Sequence, residues 1–178
     1  MEVDKMHEAF TQNKIQLKVA LTPQQSAAPI DGIKGQLNRM LLKYNDEVGG
    51  VPVTYSGITF PHGKEYGRIL GEHPWIHVDV TTTMLVFQPS VGLTVRGKIN
   101  KVSDSYMSLL VFGMFNANIS EEELNKSYSF KSETNQWYNN DDDGSALADG
   151  DIIECSVASF QHANGVLSLV CKLLQTAE

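Results

Sequence analysis

The histidines and cysteines of this 178-residue chain are the side chains best suited to metal binding or nucleophilic catalysis. His73 and His77 are four residues apart, but a proline lies between them near the start of a predicted strand. They therefore cannot present two ligands side by side as histidines on a helix do. Cys155 and Cys171 fall in predicted strands, and the nearest histidine, His162, follows in a turn. We expect no metal and no cofactor, and we interpret both cysteines as small buried residues rather than as a disulfide.

Two other patterns typical of catalytic sites are incomplete. Gly63, Gly67 and Gly71 are evenly spaced in a predicted loop, but no Lys-Ser/Thr pair follows them, as a phosphate cradle requires. Asp141 and Asp143 lie in a flexible acidic run where no environment pushes their pKa values apart, so they are poor candidates for acid–base catalysis. The sequence therefore predicts a protein that is not an enzyme.

Composition and charge describe a globular protein whose second half is acidic. Hydrophobic residues make up 42% of the chain and charged residues 20%. No stretch approaches the ~18 consecutive apolar residues of a membrane span, and the first residues lack the features of a secretory signal. Residues 1–90 carry 8 Lys+Arg and 9 Asp+Glu, a net charge of −1, whereas residues 91–178 carry 6 and 12, a net charge of −6. We expect a cytosolic or nuclear protein that does not bind nucleic acid strongly by its own overall field.

The second half of the chain predicts a small barrel. Between residues 95 and 102 apolar and polar residues alternate, and the strand pattern resumes over residues 106–112 after a Ser-Asp turn. Gly113 would allow the chain to bend or bulge before a third strand that starts at Phe115. Closing a barrel requires two more strands, and an Asn-Gly hairpin signal joins two such runs, 152–160 and 166–173. Five strands of this kind predict an OB-fold barrel.

The first half predicts an α+β domain in which one helix packs on an antiparallel sheet. Strict alternation over Ile15–Leu21 indicates a half-buried strand. Strands are also predicted over residues 51–60, with a break near Ser56-Gly57, and over residues 75–87. Apolar residues at three-and-four spacing predict a helix that Gly49-Gly50 ends. These apolar residues are Ile30, Ile33, Leu37, Met40, Leu41, Tyr44 and Val48.

A short segment rich in Pro and Gly, residues 88–92, is the predicted linker. It places an α+β domain at residues 1–88 and an OB-fold domain at residues 89–178. Within the second domain, residues 121–137 have helical and irregular character. Residues 139–144 form a predicted acidic loop whose role is solubility.

Short motifs spread over nearly the whole chain resemble the larger stalk subunit of archaeal and eukaryotic RNA polymerases, in particular the 43-kilodalton subunit of RNA polymerase I. In the barrel half, the similar pieces are Gly97-x-x-Asn100-Lys101-Val102-Ser103 and Leu110-Val111-x-Gly113-x-Phe115-Asn116-Ala117-x-Ile119. In the first half, they are 19–23, 32–37, 41–44, 50–55, 76–78 and 86–89. Each piece is short, and their order and spacing together make the resemblance specific.

The resemblance implies a non-catalytic stalk subunit of a nuclear, nucleolar enzyme. Such a subunit forms a heterodimer with a smaller stalk subunit and docks through its N-terminal domain onto the polymerase core, near the RNA exit. It presents its OB barrel to nascent RNA and offers a surface to the initiation factor for ribosomal RNA genes. The stalk subunits of other RNA polymerases share this layout. A free-standing OB protein that binds single-stranded nucleic acid is a further alternative, which the charge of the barrel disfavours.

Two sets of site residues follow from the resemblance. RNA contacts on an OB barrel combine stacking rings with cations, and the candidates in the first three strands are Arg96, Lys98, Lys101, Tyr106, Phe112 and Phe115. The two phenylalanines fit the barrel core better than the surface. Docking on the polymerase core should use irregular backbone, and the candidates are Gly49, Gly50, Val51, Pro52, Lys64, Tyr66 and Arg68.

Overall fold

The computed structural model describes residues 9–61, 66–141 and 145–174, which form two compact units. The first unit comprises residues 10–88. The second begins at residue 89 and also includes Ala9, which the sequence boundary had placed in the first domain. Within the described residues, no helix is long and apolar enough to cross a bilayer.

The first unit is an antiparallel sheet with one helix. Its strands are β1 (Phe10–Leu21), β2 (Val51–Thr59), β3 (Arg68–Ile69) and β4 (Ile76–Phe87), and its helix is α1 (Pro29–Met40). The central strand is β4, which pairs with β1 along its whole length and with β2 and β3 on its other side. A short 3-10 helix, Pro23–Ala27, connects β1 to α1.

The core of this unit lies between the sheet and α1. Along β4, every second residue from Val78 to Val86 is buried, as the alternation of apolar residues predicts. From the helix, Ile33 and Leu37 pack into the same cluster as Val80 and Met84. The predicted α+β architecture is therefore confirmed.

The helix is shorter than its apolar stripe predicted. It ends at Met40 because Leu41 is extended and the Leu42 N–H donates to the Pro52 carbonyl oxygen of β2 at 2.8 Å. The Asn45 carboxamide then accepts the Glu47 N–H at 2.8 Å and stabilises a turn. The prediction that the helix continues to Val48 was wrong, because a contact with β2 and a local turn replace its last two turns.

The break predicted in β2 is present. Gly57 has a φ of 65°, and the register with β4 shifts between Ser56 and Thr59. The shift leaves the Ser56 carbonyl oxygen to accept a hydrogen bond from the buried Thr82 hydroxyl at 3.0 Å. A buried threonine in an otherwise apolar row of β4 thus satisfies the backbone of the bulge.

The second unit contains a closed five-stranded barrel. Its strands are β5 (Thr94–Val102), β6 (Tyr106–Val111), β7 (Phe115–Ser120), β11 (Ile152–Ala163) and β12 (Val166–Leu173). Around the barrel the order is β11-β12-β7-β6-β5, and β12 runs parallel to β7 while the other pairs are antiparallel. This is the five-stranded Greek-key arrangement of the OB fold, so the predicted fold class is confirmed.

Two tight hairpin turns occur in the barrel. Asn164 and Gly165 both have positive φ and form the predicted turn between β11 and β12. Phe112 and Gly113, with φ values of 51° and 69°, form the same kind of turn between β6 and β7. The Met114 N–H closes it by donating to the Val111 carbonyl oxygen at 3.0 Å. Gly113 is therefore a turn residue rather than the site of a bend within a strand.

An insertion separates β7 from β11, and its structure differs from the prediction. Helix α2 (Glu121–Leu124) has only four residues, and a three-stranded antiparallel sheet follows it. The strands are β8 (Tyr128–Lys131), β9 (Gln136–Asn139) and β10 (Ala146–Leu147). The expectation of a helical and irregular segment over residues 121–137 was therefore wrong beyond Leu124. These strands are too short, and contain too few apolar residues, for a clear alternating pattern to be recognised in the sequence.

The cysteines behave as the sequence predicts. Both thiols are free and buried inside the barrel. The hydrogen bond with Cys171, together with burial, raises the pKa of the Cys155 thiol. Cys155 is therefore a neutral core residue at physiological pH.

Gly50→Ala should destabilise the chain by ~1–3 kcal/mol, because overpacking forces the backbone to shift. A methyl group at residue 50 would overlap the Phe87 carbonyl oxygen and lie 2.8 Å from Val86 Cγ1. Gly35→Ala is the matched control, since its methyl group meets nothing within 4 Å on α1. The control should stabilise by up to ~1 kcal/mol. Thermal unfolding followed by circular dichroism checks both, and equal melting temperatures for the two variants would contradict the packing argument.

Candidate nucleic-acid interface and docking surface

Two of the predicted cations lie on the outside of β5. Arg96 and Lys98 are exposed because the alternation directs their neighbours Val95 and Gly97 into the barrel. The Arg96 guanidinium forms an ion pair with Glu154 of β11, with Nε 2.7 Å from the Glu154 Oε1 atom. Both side chains are about half exposed, so the pair adds little stability, but it partly neutralises the charge of Arg96.

The third cation, Lys101, follows a bulge in β5. The register with β6 shifts between Ile99 and Lys101, so Asn100 and Lys101 are both exposed. The Lys101 ammonium lies over the Tyr106 ring, 5.5 Å from its centroid. A hydrogen bond and the charge interaction with Tyr106 raise the pKa of Lys101, which therefore stays cationic. The structure thus brings two predicted residues together, and the ammonium covers one face of the ring.

The two candidate phenylalanines have different positions. Phe115 is 4% exposed and is a core residue of the barrel, so its ring offers no face to a nucleic-acid base. Phe112 is half-buried in the β6–β7 turn. Its positive φ is unusual for a bulky residue.

The outer surface of β6 and β7 is neutral and rich in hydroxyl and carboxamide groups, which sequence reasoning did not identify. The Ser108 hydroxyl donates to Asn118 Oδ1 across the two strands at 2.6 Å. Asn116 and Ser120 are exposed on the same side of β7. These polar residues alternate with the buried residues Phe115, Ala117 and Ile119, and this alternation in the sequence could have predicted the polar surface. In OB folds this surface is a common binding site for oligonucleotides.

The insertion sheet fixes the loop between β5 and β6. The buried Trp137 of β9 donates its indole N–H to the Ser103 carbonyl oxygen at 2.9 Å. The Asn135 carboxamide donates to the Val102 carbonyl oxygen at 3.4 Å. Phe130 supports the indole, with ring centroids 5.3 Å apart. The β8–β9 hairpin is thereby attached to the barrel at two points.

A groove of about 380 Å³ opens between this hairpin and β5. We name it the hairpin groove, and its lining residues are Asn100, Lys101, Val102, Thr134, Asn135, Gln136 and Asp149. Six of the seven are polar or charged. Of the predicted residues only Lys101 contributes to it. Thr134, Asn135 and Gln136 were missed because β8 and β9 were not recognised, although the paired aromatic residues of these strands were a signal.

Besides Asp149, a second carboxylate lies nearby in the β5–β6 loop. Asp104 accepts hydrogen bonds from the Ser105 hydroxyl at 2.8 Å and from the Ser103 hydroxyl at 3.0 Å. These bonds lower the pKa of Asp104, with Ser105 the larger cause. The loop therefore keeps its negative charge at physiological pH, which limits the attraction of phosphates to the cations of β5.

Part of the predicted docking segment is structural. Gly50, Val51 and Pro52 are buried at the start of β2, and Gly49 occupies a left-handed position with a φ of 69°. Gly50, Val51 and Pro52 therefore belong to the core rather than to an open surface, whereas Gly49 is exposed. Lys64, another predicted docking residue, lies outside the described residues.

The segment before β4, which includes the short strand β3, is exposed and rich in large apolar residues. Tyr66 and Arg68, both predicted docking residues, are exposed on it. Large apolar side chains in the same segment have exposed fractions of 81% for Tyr66, 64% for Ile69, 50% for Leu70 and 43% for Trp75. We name these four residues the loop patch. Four such side chains within ten residues are unusual on a surface that faces only water and are typical of protein contact sites.

The chain resembles known proteins over both units. A family profile described as the RPA43 OB domain in RNA Pol I matches residues 89–151. The probable DNA-directed RNA polymerase I subunit RPA43 of Dictyostelium discoideum is 30% identical over 130 residues, 73% of this chain and 36% of that protein. The RNA polymerase I subunit rpa43 of Schizosaccharomyces pombe is 29% identical over 85% of this chain and 88% of that protein. The mouse subunit RPA43 is 36% identical over 59% of this chain and 31% of that protein.

The closed barrel with parallel β7 and β12, preceded by a sheet-and-helix unit, defines an OB-fold protein of two units. With the profile match and these relatives, the chain belongs to the RPA43 family of RNA polymerase I subunits, as its motifs predicted. It spans about a third of the length of the Dictyostelium and mouse relatives and most of the length of the fission-yeast relative.

Trp137→Phe should destabilise the second unit by about 1–3 kcal/mol, because it removes the donor to the Ser103 carbonyl oxygen and part of a buried ring. The matched control is Trp75→Phe, which changes the other of the two tryptophans, a partly exposed one. The control should shift stability by less than about 0.5 kcal/mol. Chemical denaturation measures both, and a Trp137→Phe variant as stable as the control would show that the indole bond is dispensable.

Proposed function

We propose that this chain is a non-catalytic stalk subunit of RNA polymerase I. In this role it pairs with a smaller stalk subunit, docks on the polymerase core near the RNA exit, and presents its OB barrel to nascent RNA. The stalk also offers a surface to the initiation factor that acts at ribosomal RNA genes. The subunit acts in the nucleus, within the nucleolus. Membership of the RPA43 family is the observation that carries this proposal.

The loop patch supports the docking part of the proposal. Tyr66, Ile69 and Leu70 expose apolar area that water solvates poorly, and burial against a protein would recover roughly 25 cal/mol for each Å² removed from water. Arg68 lies between them and supplies a cation. Aromatic and Arg side chains are enriched where interfaces bind most strongly. The loop patch is therefore suited to contact a large protein. For a member of the RPA43 family, we propose that this protein is the polymerase core.

The cations of β5 support a weak contact with RNA. Lys98 and Lys101 are exposed on a barrel whose half of the chain has a net charge of −6. Such a barrel binds RNA poorly from free solution, since phosphate contacts supply most non-specific affinity. A barrel held beside an emerging transcript needs little intrinsic affinity, because tethering raises the effective RNA concentration.

Native affinity purification of the tagged chain from its own cells, with mass spectrometry of stoichiometric companions, tests the proposal. The large subunits of RNA polymerase I and one small companion should be recovered. Recovery of a different RNA polymerase would correct the enzyme. Recovery of the chain alone or with RNA only would overturn the stalk assignment and favour a free OB module.

The combined substitution Tyr66→Ala, Ile69→Ala and Leu70→Ala should reduce recovery of core subunits about tenfold or more, because each removes an exposed apolar anchor. Ile30→Ala is the matched control, as it trims a partly exposed apolar residue in the first turn of α1. Full recovery with the triple variant would remove the loop patch from the docking surface. Circular dichroism verifies that the variant is folded.

Lys98→Glu combined with Lys101→Glu should weaken crosslinking of nascent RNA to this chain about tenfold, since each reversal replaces an attraction to phosphate by a repulsion. Arg96 is left unchanged because it is engaged by Glu154. Lys126→Glu combined with Lys172→Glu is the control, which makes the same change in net charge at exposed lysines outside β5. Crosslinking that falls equally in both variants would mean that overall charge, rather than the β5 surface, governs the contact.

A further inference from the structure

The hairpin groove offers hydrogen-bonding groups of both kinds at one place. The Tyr138 hydroxyl donates to Gln136 Oε1 at 3.2 Å, which leaves the two Gln136 N–H groups as donors for a ligand. Asn135 uses its amino group on the Val102 carbonyl oxygen, which leaves its Oδ1 as an acceptor. Asp149 adds acceptors and Asn100 adds a carboxamide. Donors and acceptors mixed in this way match the edge of a nucleic-acid base.

The residues that line the hairpin groove are held in place by defined contacts. Trp137 and Asn135 attach the hairpin to consecutive carbonyl groups of the β5–β6 segment, at 2.9 Å and 3.4 Å. Asn135 adopts a φ of 53°, the left-handed conformation that Asn tolerates, at the end of the hairpin loop. The bulge in β5 places Asn100 and Lys101 in the lining. Side chains held by such supports lose little freedom when a ligand binds.

We propose that the hairpin groove holds one unpaired nucleotide of single-stranded RNA. The carboxamides of Asn100, Asn135 and Gln136 read the base edge, and Lys101 contacts the adjoining phosphate. The volume of about 380 Å³ accommodates a single base with its sugar. This assignment rests on the proposed contact with nascent RNA and gives that contact a location.

The chemistry of the groove favours RNA over a protein segment. Val102 is its one apolar lining residue, whereas peptide grooves are lined mainly by apolar side chains. The neutral surface of Ser108, Asn116 and Asn118 adjoins it through the pairing of Lys101 with Ser108. The RNA strand can therefore continue from the groove across β6 and β7, the usual OB binding surface.

The test uses RNA polymerase I assembled with this chain and stalled on a transcript that carries 4-thiouridine. Crosslinked peptides from the unmodified chain, identified by mass spectrometry, should lie in residues 98–106 and 133–138. Crosslinks confined to other parts of the chain would overturn the groove while keeping the RNA contact. Absence of any crosslink to the chain would overturn both, whereas co-purification with the polymerase would still stand on its own.

Two variants separate the groove from the barrel as a whole. Asn100→Ala with Gln136→Ala should lower crosslinking at these peptides about fivefold to tenfold while the subunit still co-purifies stoichiometrically. The control, Gln161→Ala with Lys172→Ala, changes exposed residues of β11 and β12 outside the groove and should leave crosslinking there unchanged. Full crosslinking in the groove variant would overturn the proposal. A benzophenone side chain introduced at Thr134 should capture RNA, and capture of a protein subunit in its place would assign the groove to a protein contact.

Discussion

The parallel pairing of β7 with β12 is the constraint on which the second unit depends. Three register pairs, from Ser168 with Asn116 to Val170 with Asn118, join strands that are far apart in the sequence. This pairing closes the barrel, so that Ile99, Leu109 and Leu169 become fully buried. The entropy lost in bringing these strands together is offset by burial of that apolar core. Closure also sets which side chains of β5, β6 and β7 face outward.

The insertion between β7 and β11 uses this closed barrel as its support. Its small sheet is only three short strands, which are marginal in isolation. Trp137 provides the anchor, since its ring is buried and its N–H is bonded to the β5–β6 loop. The hairpin thus gains a fixed position from the barrel, and the barrel gains a polar groove. In the acidic half of the chain, the base recognition that we propose for the neutral carboxamides of the groove is less sensitive to the unfavourable field than a row of phosphate contacts.

The first unit distributes its apolar residues differently. Its core is complete between the sheet and α1, where Ile33 and Leu37 meet the inner residues of β4. The four residues of the loop patch are exposed and do not belong to this core cluster. Exposed apolar residues that contribute nothing to a core carry a cost in solubility. In the stalk that we propose, the loop patch contacts protein and the outer surface of β5 contacts RNA.

The sequence by itself determined the two architectures, most strand positions, the Asn164-Gly165 turn and the buried state of the cysteines, because alternation and turn chemistry are local properties. It also determined the family, through motifs in a fixed order. Tertiary structure alone decided where α1 ends, since the Leu42 N–H bonds to Pro52 rather than within the helix. It likewise decided that Asn135 and Gln136 meet Lys101 in one groove. Such juxtapositions depend on contacts between distant segments, and no periodicity in a single segment records them.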